Sequence, residues 1–317
     1  MIASPVARII EIASDRRHLS VHRGFLVVTD SEARREAGRV PIDDVAAVVA
    51  SGHGISYSNN LLEALALRGA PFVLCGRHHE AIGMLLALQA NGQQAGRFDA
   101  QMNASAPTRK RLWAEIVRAK LRHQAAALDA FGAPTPPIGA LVKAVRSGDS
   151  TNVEAQAAQR YWPLLFGKDF RRDREADGAN ALLNYGYTIL RSAVGRSVVA
   201  AGLHPTLGLH HSDRGNPMRL VDDLMESFRP LVDVRVKQLV ETGRKEVDAE
   251  AKRSLAQVLY IDRETDDGAT PLIGCLHRLA TSLAQVFLGE RQSLVLPSPD
   301  RPIWPLETAG APCGSGY

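Results

Sequence analysis

The chain has 317 residues, enough for one large domain or two ordinary ones, each with a core of its own. Hydrophobic residues make up 45%, as in soluble globular proteins, and no apolar run reaches the roughly eighteen residues that a membrane helix needs. A net charge of +4 and a pI of about 9.1 permit a nucleic-acid partner without arguing for one.

The first segment, "MIASPVARIIEIASDRRH", lacks the basic-then-apolar layout of a secretory signal, so an intracellular soluble protein is expected. Strand patterns follow through residue 76. "ARIIEI" is short and β-branched. "HLSVHRGFLVVTD" alternates and then runs apolar, with Gly24 near a turn, and "GRVPIDDVAAVVAS" has the same style. "SNNLLEALALRGA" reads as a helix. Ser58 or Asn59 can cap it, Leu61, Leu62, Leu65 and Ala66 lie near a helical period, and Gly69 ends it. "PFVLCG" is a buried strand, so 1–76 forms a small β domain with one inserted helix. Residues 77–107 turn rich in Gln, Gly and Ala and read as a connector, partly strand and partly irregular.

Beyond Thr108 helical periodicity dominates. "TRKRLWAEIVRAKLRHQAAALDAF" places apolar residues at 112, 113, 116, 117 and 121. Further helices are expected near 139–146, 152–165, 179–202, 217–227, 231–260 and 271–290, giving a helical domain over 108–290. The Pro/Gly-rich stretch 291–317 reads as a loosely ordered tail. Cys75, Cys275 and Cys313 are far apart and have no CxxC spacing, which speaks against a disulfide framework or a thiolate zinc site. The fold class is α+β, a small β domain joined to a larger C-terminal all-α domain.

Two stretches could carry chemistry. In "STNVEAQAAQRYWPLLFG", Glu154 lies early in a helix, where an acid is ordinarily a surface residue favoured by the helix dipole. In "GLHHSDRGNPMRLVDDLMESFRP", His210 and His211 precede a helix that carries Asp222, Asp223 and Glu226. The spacings 222/226 and 223/226 each put two carboxylates on one face. Imidazole with carboxylates and no thiolate suits Mg²⁺ or Mn²⁺ better than structural zinc. Spacing alone leaves the alternative open that the acids are helix-surface residues and the histidines hydrogen-bonding devices. The run "TRKRLWAEIVRAKLRH" holds Arg109, Lys110, Arg111, Arg118, Lys120 and Arg122 against the single acid Glu115. These are candidates for phosphate contacts, or else a solvated helix face. "KDFRRDRE" is nearly charge-balanced and ranks lower.

Three long motifs occur in order: "VEAQAAQRYW", "NALLNYGYTILRSAVGRSVVAAGLHPTLGLHH" and "VDDLMESFRPLVD". Together they resemble the CRISPR adaptation integrase, the CRISPR-associated (Cas) protein that inserts new spacers, and are similar to the versions of type II systems, where "FGKDFRRD" also has a counterpart. The resemblance implies an N-terminal β-sandwich and a C-terminal helical domain. It implies a divalent-metal site of a Glu, a His and a second acid, placed on Glu154, on His211 fifteen residues before the acid, and on Glu226. Many relatives have their acid earlier on this helix, which makes Asp223 a further candidate ligand, direct or through water, and His210 a neighbour. Tyr185 matches an aromatic near the family's active site, with packing as an equal alternative. Asn180 and Asn184 are expected as structural hydrogen bonders. Arg160 and Arg229 could steady a phosphate, a ligand carboxylate or a helix end.

The activity implied is metal-dependent DNA endonuclease and integrase chemistry, joining a 3′-hydroxyl to the CRISPR repeat with Mg²⁺ or Mn²⁺. Partners implied are double-stranded DNA (protospacer and repeat), a second copy through the β domain, a dimer of a small companion adaptation protein and other type II CRISPR proteins, with no membrane, in the prokaryotic cytoplasm. Two rivals remain open on sequence: a repair nuclease that uses water as the nucleophile, and a non-catalytic DNA-bridging scaffold.

Overall fold

The computed structural model describes residues 8–76, 81–85, 87, 93–266 and 268–298. Parts of the expected connector (77–80, 86 and 88–92), most of the tail (299–317) and Cys313 lie outside them. Among the described residues, Cys75 and Cys275 form no disulfide.

The N-terminal part is two four-stranded sheets packed face to face. One sheet orders β4 (Arg35–Pro41), β3 (Phe25–Asp30), β2 (Arg17–His22) and β6 (Ser56–Tyr57). Its β2–β3 hairpin turns through Arg23 and Gly24, both at positive φ (48° and 81°), the left-handed pair that a two-residue turn needs to match the strand twist. The other sheet orders β1 (Arg8–Ile12), β5 (Val45–Ala50), β7 (Phe72–Cys75) and β8 (Ala81–Leu85), parallel except for the last pair. Between the sheets lie Leu19, Leu26, Ile42, Val48 and Phe72, closed off by Leu61 and Leu65 of α1 (Asn59–Leu67). Ser58 caps that helix, accepting from the Leu61 amide.

The run "VAAVVA" of β5 is apolar at every position because both of its faces are covered. Val48 and Ala50 point into the sandwich, while Val49 and Val73 point the other way, into the core of the helical domain. The sheet is therefore shared by two cores. An ion pair bolts the same seam. Lys252 Nζ lies 3.2 Å from Glu11 Oε1 of β1, and Ser51 Oγ donates to that oxygen at 2.8 Å.

The stretch expected as a connector contains β8 and α2 (Gln94–Met102). The helical domain follows as α3 (Ala106–Ala130), α4 (Pro136–Val142), α5 (Val153–Phe166), α6 (Ala179–Ala200), α7 (Arg219–Met225), α8 (Arg229–Glu241), α9 (Ala249–Ala256) and α10 (Leu272–Phe287). The central helix is α6, with 17 of its 22 residues buried. It approaches α8 so closely that a Cβ on Gly186 would stand 2.4 Å from a Val232 methyl.

Two expectations change. The single helix over 231–260 is two helices, broken where Gly243 takes a left-handed φ of 84° after α8, and where Asp248 caps α9 by accepting from the Ala251 amide. A hairpin of β9 (Asp262–Thr265) and β10 (Gly268–Pro271) also enters the helical domain before α10. Among the described residues no helix is long and apolar enough to cross a membrane.

Candidate active site

Three elements bring the acids together. Glu154 is the second residue of α5. Its first turn is held by Asp149, a buried carboxylate that accepts from the Val153 amide at 2.9 Å and the Glu154 amide at 3.0 Å. Glu226 begins a tight 3-10 turn, Glu226–Phe228, between α7 and α8. Pro230 lacks the amide hydrogen that would continue a regular helix back to Glu226, so the chain tightens there. The third element is α3, whose Lys120 reaches between the two acids. Its Nζ lies 2.5 Å from Glu154 Oε1 and 2.5 Å from Glu226 Oε2.

Lys120 was expected on DNA phosphate, and the structure places it elsewhere. It is only 8% exposed, because α3 is a core helix and position 120 lies on its buried stripe, one turn after Ile116. Burial works against its charge, but Glu226 and Glu154 outweigh that and lift its pKa above the ordinary lysine value. Burial likewise opposes ionisation of Glu226, yet Arg229 and Lys120 hold its pKa down at about 2. The Arg229 Nε stands 3.0 Å from Glu226 Oε1, and its guanidinium lies 4.8 Å from the centre of the Tyr187 ring. The Tyr187 hydroxyl donates to buried Asp233 at 2.5 Å, and Tyr161 donates to the same carboxylate at 3.0 Å. Burial raises the pKa of Asp233 to about 6.

The histidine loop is wound around one carboxylate. Asp223, fully buried, accepts from the amides of Leu209 (2.6 Å), His210 (3.2 Å) and His211 (3.1 Å) and meets His211 Nδ1 at 2.7 Å. Gly208 permits the wrap, since a Cβ there would stand 2.8 Å from Asp223 Oδ2. Asp223 was a candidate metal ligand, direct or through water. Its oxygens bond the loop amides and His211 Nδ1, which puts it behind that ring. That hydrogen bond raises the pKa of His211 and leaves Nε2 as the nitrogen available to a ligand. His210 stacks flat on Trp113, ring centres 4.4 Å apart, and His211 meets the same indole edge-on. Upstream, the buried Gln101 of α2 fixes the approach of this loop, donating to the carbonyls of His204 and Leu207 and accepting from the His204 amide.

His211 stands on the wall of a cleft of about 610 Å³ lined also by Tyr187, by Arg172, Arg174 and Arg229, and by Arg191 paired with Asp222 at 2.7 Å. Asn180 and Asn184 tie the 171–174 segment down: each accepts from Arg172, and their amides donate to the carbonyls of Arg171 and Arg174. "KDFRRDRE", ranked low for DNA contact, thus borders the cleft. Among the described residues no three His, Cys, Asp or Glu side chains stand arranged to hold a metal as placed, and between Glu154 and Glu226 the centre is taken by the Lys120 ammonium.

Other expected site residues fall elsewhere. Arg160, exposed, donates to the Pro137 carbonyl at 3.1 Å and so serves the α4–α5 packing. Arg118 donates to the Val145 carbonyl at 2.7 Å; Arg111 bonds Glu115 at 2.9 Å and the Gln292 carbonyl. Lys110 and Arg122 are exposed and Arg109 is half-buried. Tyr185 lies at the domain seam, under Lys252 and beside Glu11; burial, and then that acid, push its pKa up. The tyrosine at the site is Tyr187, two residues on and so on another face of α6.

This fold and this sequence have relatives. A CRISPR-associated endonuclease Cas1 of Neisseria meningitidis is 36% identical over 246 residues, 76% of this chain and 80% of that protein. A casposase solved bound to its integration product shares the fold at a TM-score of 0.78 and 17% identity, over 96% of each chain. A chain of a Cas6-RT-Cas1–Cas2 complex does so at 0.73 and 18%, over 93% of this chain and 36% of that one. The sequence model described as CRISPR associated protein Cas1 matches residues 10–264, and the chain belongs to that family.

Proposed function

We propose that the chain is the DNA-joining enzyme of CRISPR adaptation. It links the 3′-hydroxyl of an incoming DNA end to a phosphodiester of the CRISPR repeat, one phosphodiester replacing another without an external energy source. The observation that carries this reading is the convergence of Glu154 and Glu226 on one cationic centre, with His211 held nearby on the wall of an arginine-lined cleft. Kinship with a protein named an endonuclease supports phosphodiester chemistry, and the likeness to a casposase on its integration product favours joining over hydrolysis.

The donor set suits Mg²⁺ or Mn²⁺: two carboxylates and an imidazole, without a thiolate. The point between the carboxylates already attracts a positive charge. Glu154, Glu226 and Nε2 of His211 are the holding groups. A divalent ion bound there supplies neutralisation of charge on the phosphate and activation of the attacking hydroxyl. The remaining work belongs to the chain. Asp223 fixes the His211 ring, and the arginines of the cleft draw a phosphate toward the acids. Arg109, Lys110 and Arg122 add affinity along the duplex. Positioning of the DNA end supplies the in-line geometry, a large share of the rate.

The working assembly pairs two copies through their β domains around a dimer of a small companion protein, in keeping with the fold neighbour in a complex with Cas2, and can recruit other type II CRISPR proteins. Its double-stranded DNA substrates, protospacer and chromosomal repeat, place it in the prokaryotic cytoplasm.

Joining of labelled short duplexes to a supercoiled repeat target tests the reading. Glu154→Ala, His211→Ala and Glu226→Ala each abolish joining while circular dichroism stays native, EDTA stops the wild type, and 3′-dideoxy ends bind but are not joined. Equal product from blocked and free ends would make the enzyme a nuclease using water. Near-normal joining by Glu154→Ala would remove the site.

A further inference from the structure

Lys120 is the one cation that contacts both Glu154 and Glu226 among the described residues, and its contacts are those of an ion rather than of a surface lysine. Its side chain is 10% exposed and that of Glu226 5%, so neither charge is met by bulk water. The two 2.5 Å contacts put Nζ between carboxylate oxygens of Glu154 and Glu226, the two acids that would hold a divalent ion. An ammonium and a divalent ion cannot share that point. At that separation their repulsion is large, and both are drawn to the same carboxylate oxygens. The other oxygen of Glu226 faces the Arg229 Nε at 3.0 Å, so the carboxylate already has a cation on each side.

We propose that Lys120 is a built-in placeholder cation: it holds Glu154 and Glu226 together while the site is metal-free, and a divalent ion binds only by displacing it. The proposal rests on the metal-site reading above and adds to it a residue that sets metal affinity without being a ligand. Its consequence is a site kept assembled yet weakly loaded. The two acids, which would repel one another if bare, stay paired, and part of the ion's binding energy goes into expelling an ammonium already well placed.

Calorimetric Mn²⁺ titration of the full-length protein, with electron paramagnetic resonance of free Mn²⁺ as a second readout, tests this. Lys120→Met and Lys120→Gln, which remove the charge, should bind Mn²⁺ about tenfold more tightly than the wild type. Lys120→Arg, which keeps a cation, should not. Thermal unfolding gives an independent arm. Metal-free Lys120→Met should melt below the wild type, because two carboxylates are left facing each other, and saturating Mn²⁺ should raise its melting temperature by more than it raises that of the wild type. If Lys120→Met does not fold without metal, the same comparison is made with Lys120→Gln. Wild-type Mn²⁺ binding that Glu154→Ala abolishes, with Lys120→Met and Lys120→Gln binding no more tightly than wild type, would overturn the placeholder role and leave the metal site standing. Absence of any Glu154-dependent Mn²⁺ binding in all variants would overturn the site itself.

Discussion

His211 Nδ1 and Asp223 Oδ1 meet at 2.7 Å, and the carboxylate that orients the ring also gathers the amides of Leu209, His210 and His211. One buried acid thus sets both the shape of the loop and the direction of its imidazole. Asp223→Ala should weaken Mn²⁺ binding about 10–100-fold, the usual cost of losing a residue behind a metal ligand, while Glu226→Ala abolishes it. His210→Ala should keep metal affinity and lose only its stacking on Trp113, about 1 kcal/mol of stability. Equal severity of Asp223→Ala and Glu226→Ala in the same titration would make Asp223 a direct ligand.

Of the six basic residues of α3 expected on phosphate, Lys120, Arg118 and Arg111 are engaged within the fold, which leaves Arg109, Lys110 and Arg122 for that role to be tested. Reversing the charge of Arg109 and Lys110 together should flatten the slope of log affinity against log salt by about two units. Arg160→Ala should leave that slope unchanged, since its guanidinium serves the Pro137 carbonyl. Filter binding of a short duplex across a salt series measures both, and a flattened slope in Arg160→Ala would return that residue to the DNA interface.

At the seam between the domains, Lys252 is 7% exposed, with Glu11 at 3.2 Å. Removing one member of a buried pair leaves the other uncompensated, so Lys252→Met should cost about 3 kcal/mol in denaturant unfolding. The double change Lys252→Met with Glu11→Gln should recover part of that loss. A double variant as unstable as the sum of the two singles would mean the pair does not couple.

His123 is fully buried, and its Nδ1 lies 2.6 Å from the Ser227 carbonyl in the turn that carries Glu226. Burial, helped by the charge of Arg263, lowers its pKa from 6.5 to about 4. A histidine whose folded pKa is depressed is favoured neutral, so its contribution is present above pH 6.5 and is lost as pH falls toward 4. The loss is about 3 kcal/mol over that window. His123→Gln should flatten the fall of stability with acid between pH 6.5 and 4 by a comparable amount, read from urea midpoints at each pH. Parallel pH profiles for the two proteins would assign the acid sensitivity to other groups.

The order of the chain, strands first and helices after, was legible in local periodicity: the alternation of "HLSVHRGFLVVTD" and the 3.6-residue stripe of "LWAEIVRAKL" each report the face that a core will cover. The break at Gly243 was not read, although the polar run 241–246, the glycine with its left-handed φ and the Asp248 cap all mark it. Asn180 and Asn184 were legible as hydrogen bonders because a short amide in a helix must find partners; which partners, the 171–174 segment, was not.

The sequence by itself determined the family through three long motifs in register, and it singled out Glu154, His211 and Glu226 as the candidate site. Only the tertiary structure decided what surrounds that trio. Lys120 counted as one basic residue among six until α3 packed its stripe inward, although its spacing from Ile116 already put it on the core face. Asp223 and Glu226, three residues apart on one face, received different work because a loop folded over the first and an ammonium met the second. Tyr185 took the packing alternative at the seam and Tyr187 lines the cleft, because two positions along a helix turn a side chain by about 200°. The physical reason is common to all three. Residue type and spacing set what a side chain can do and which way it leaves its own helix, but the charge, amide or ring it meets comes from a segment tens of residues away, and that pairing exists only once the chain has packed.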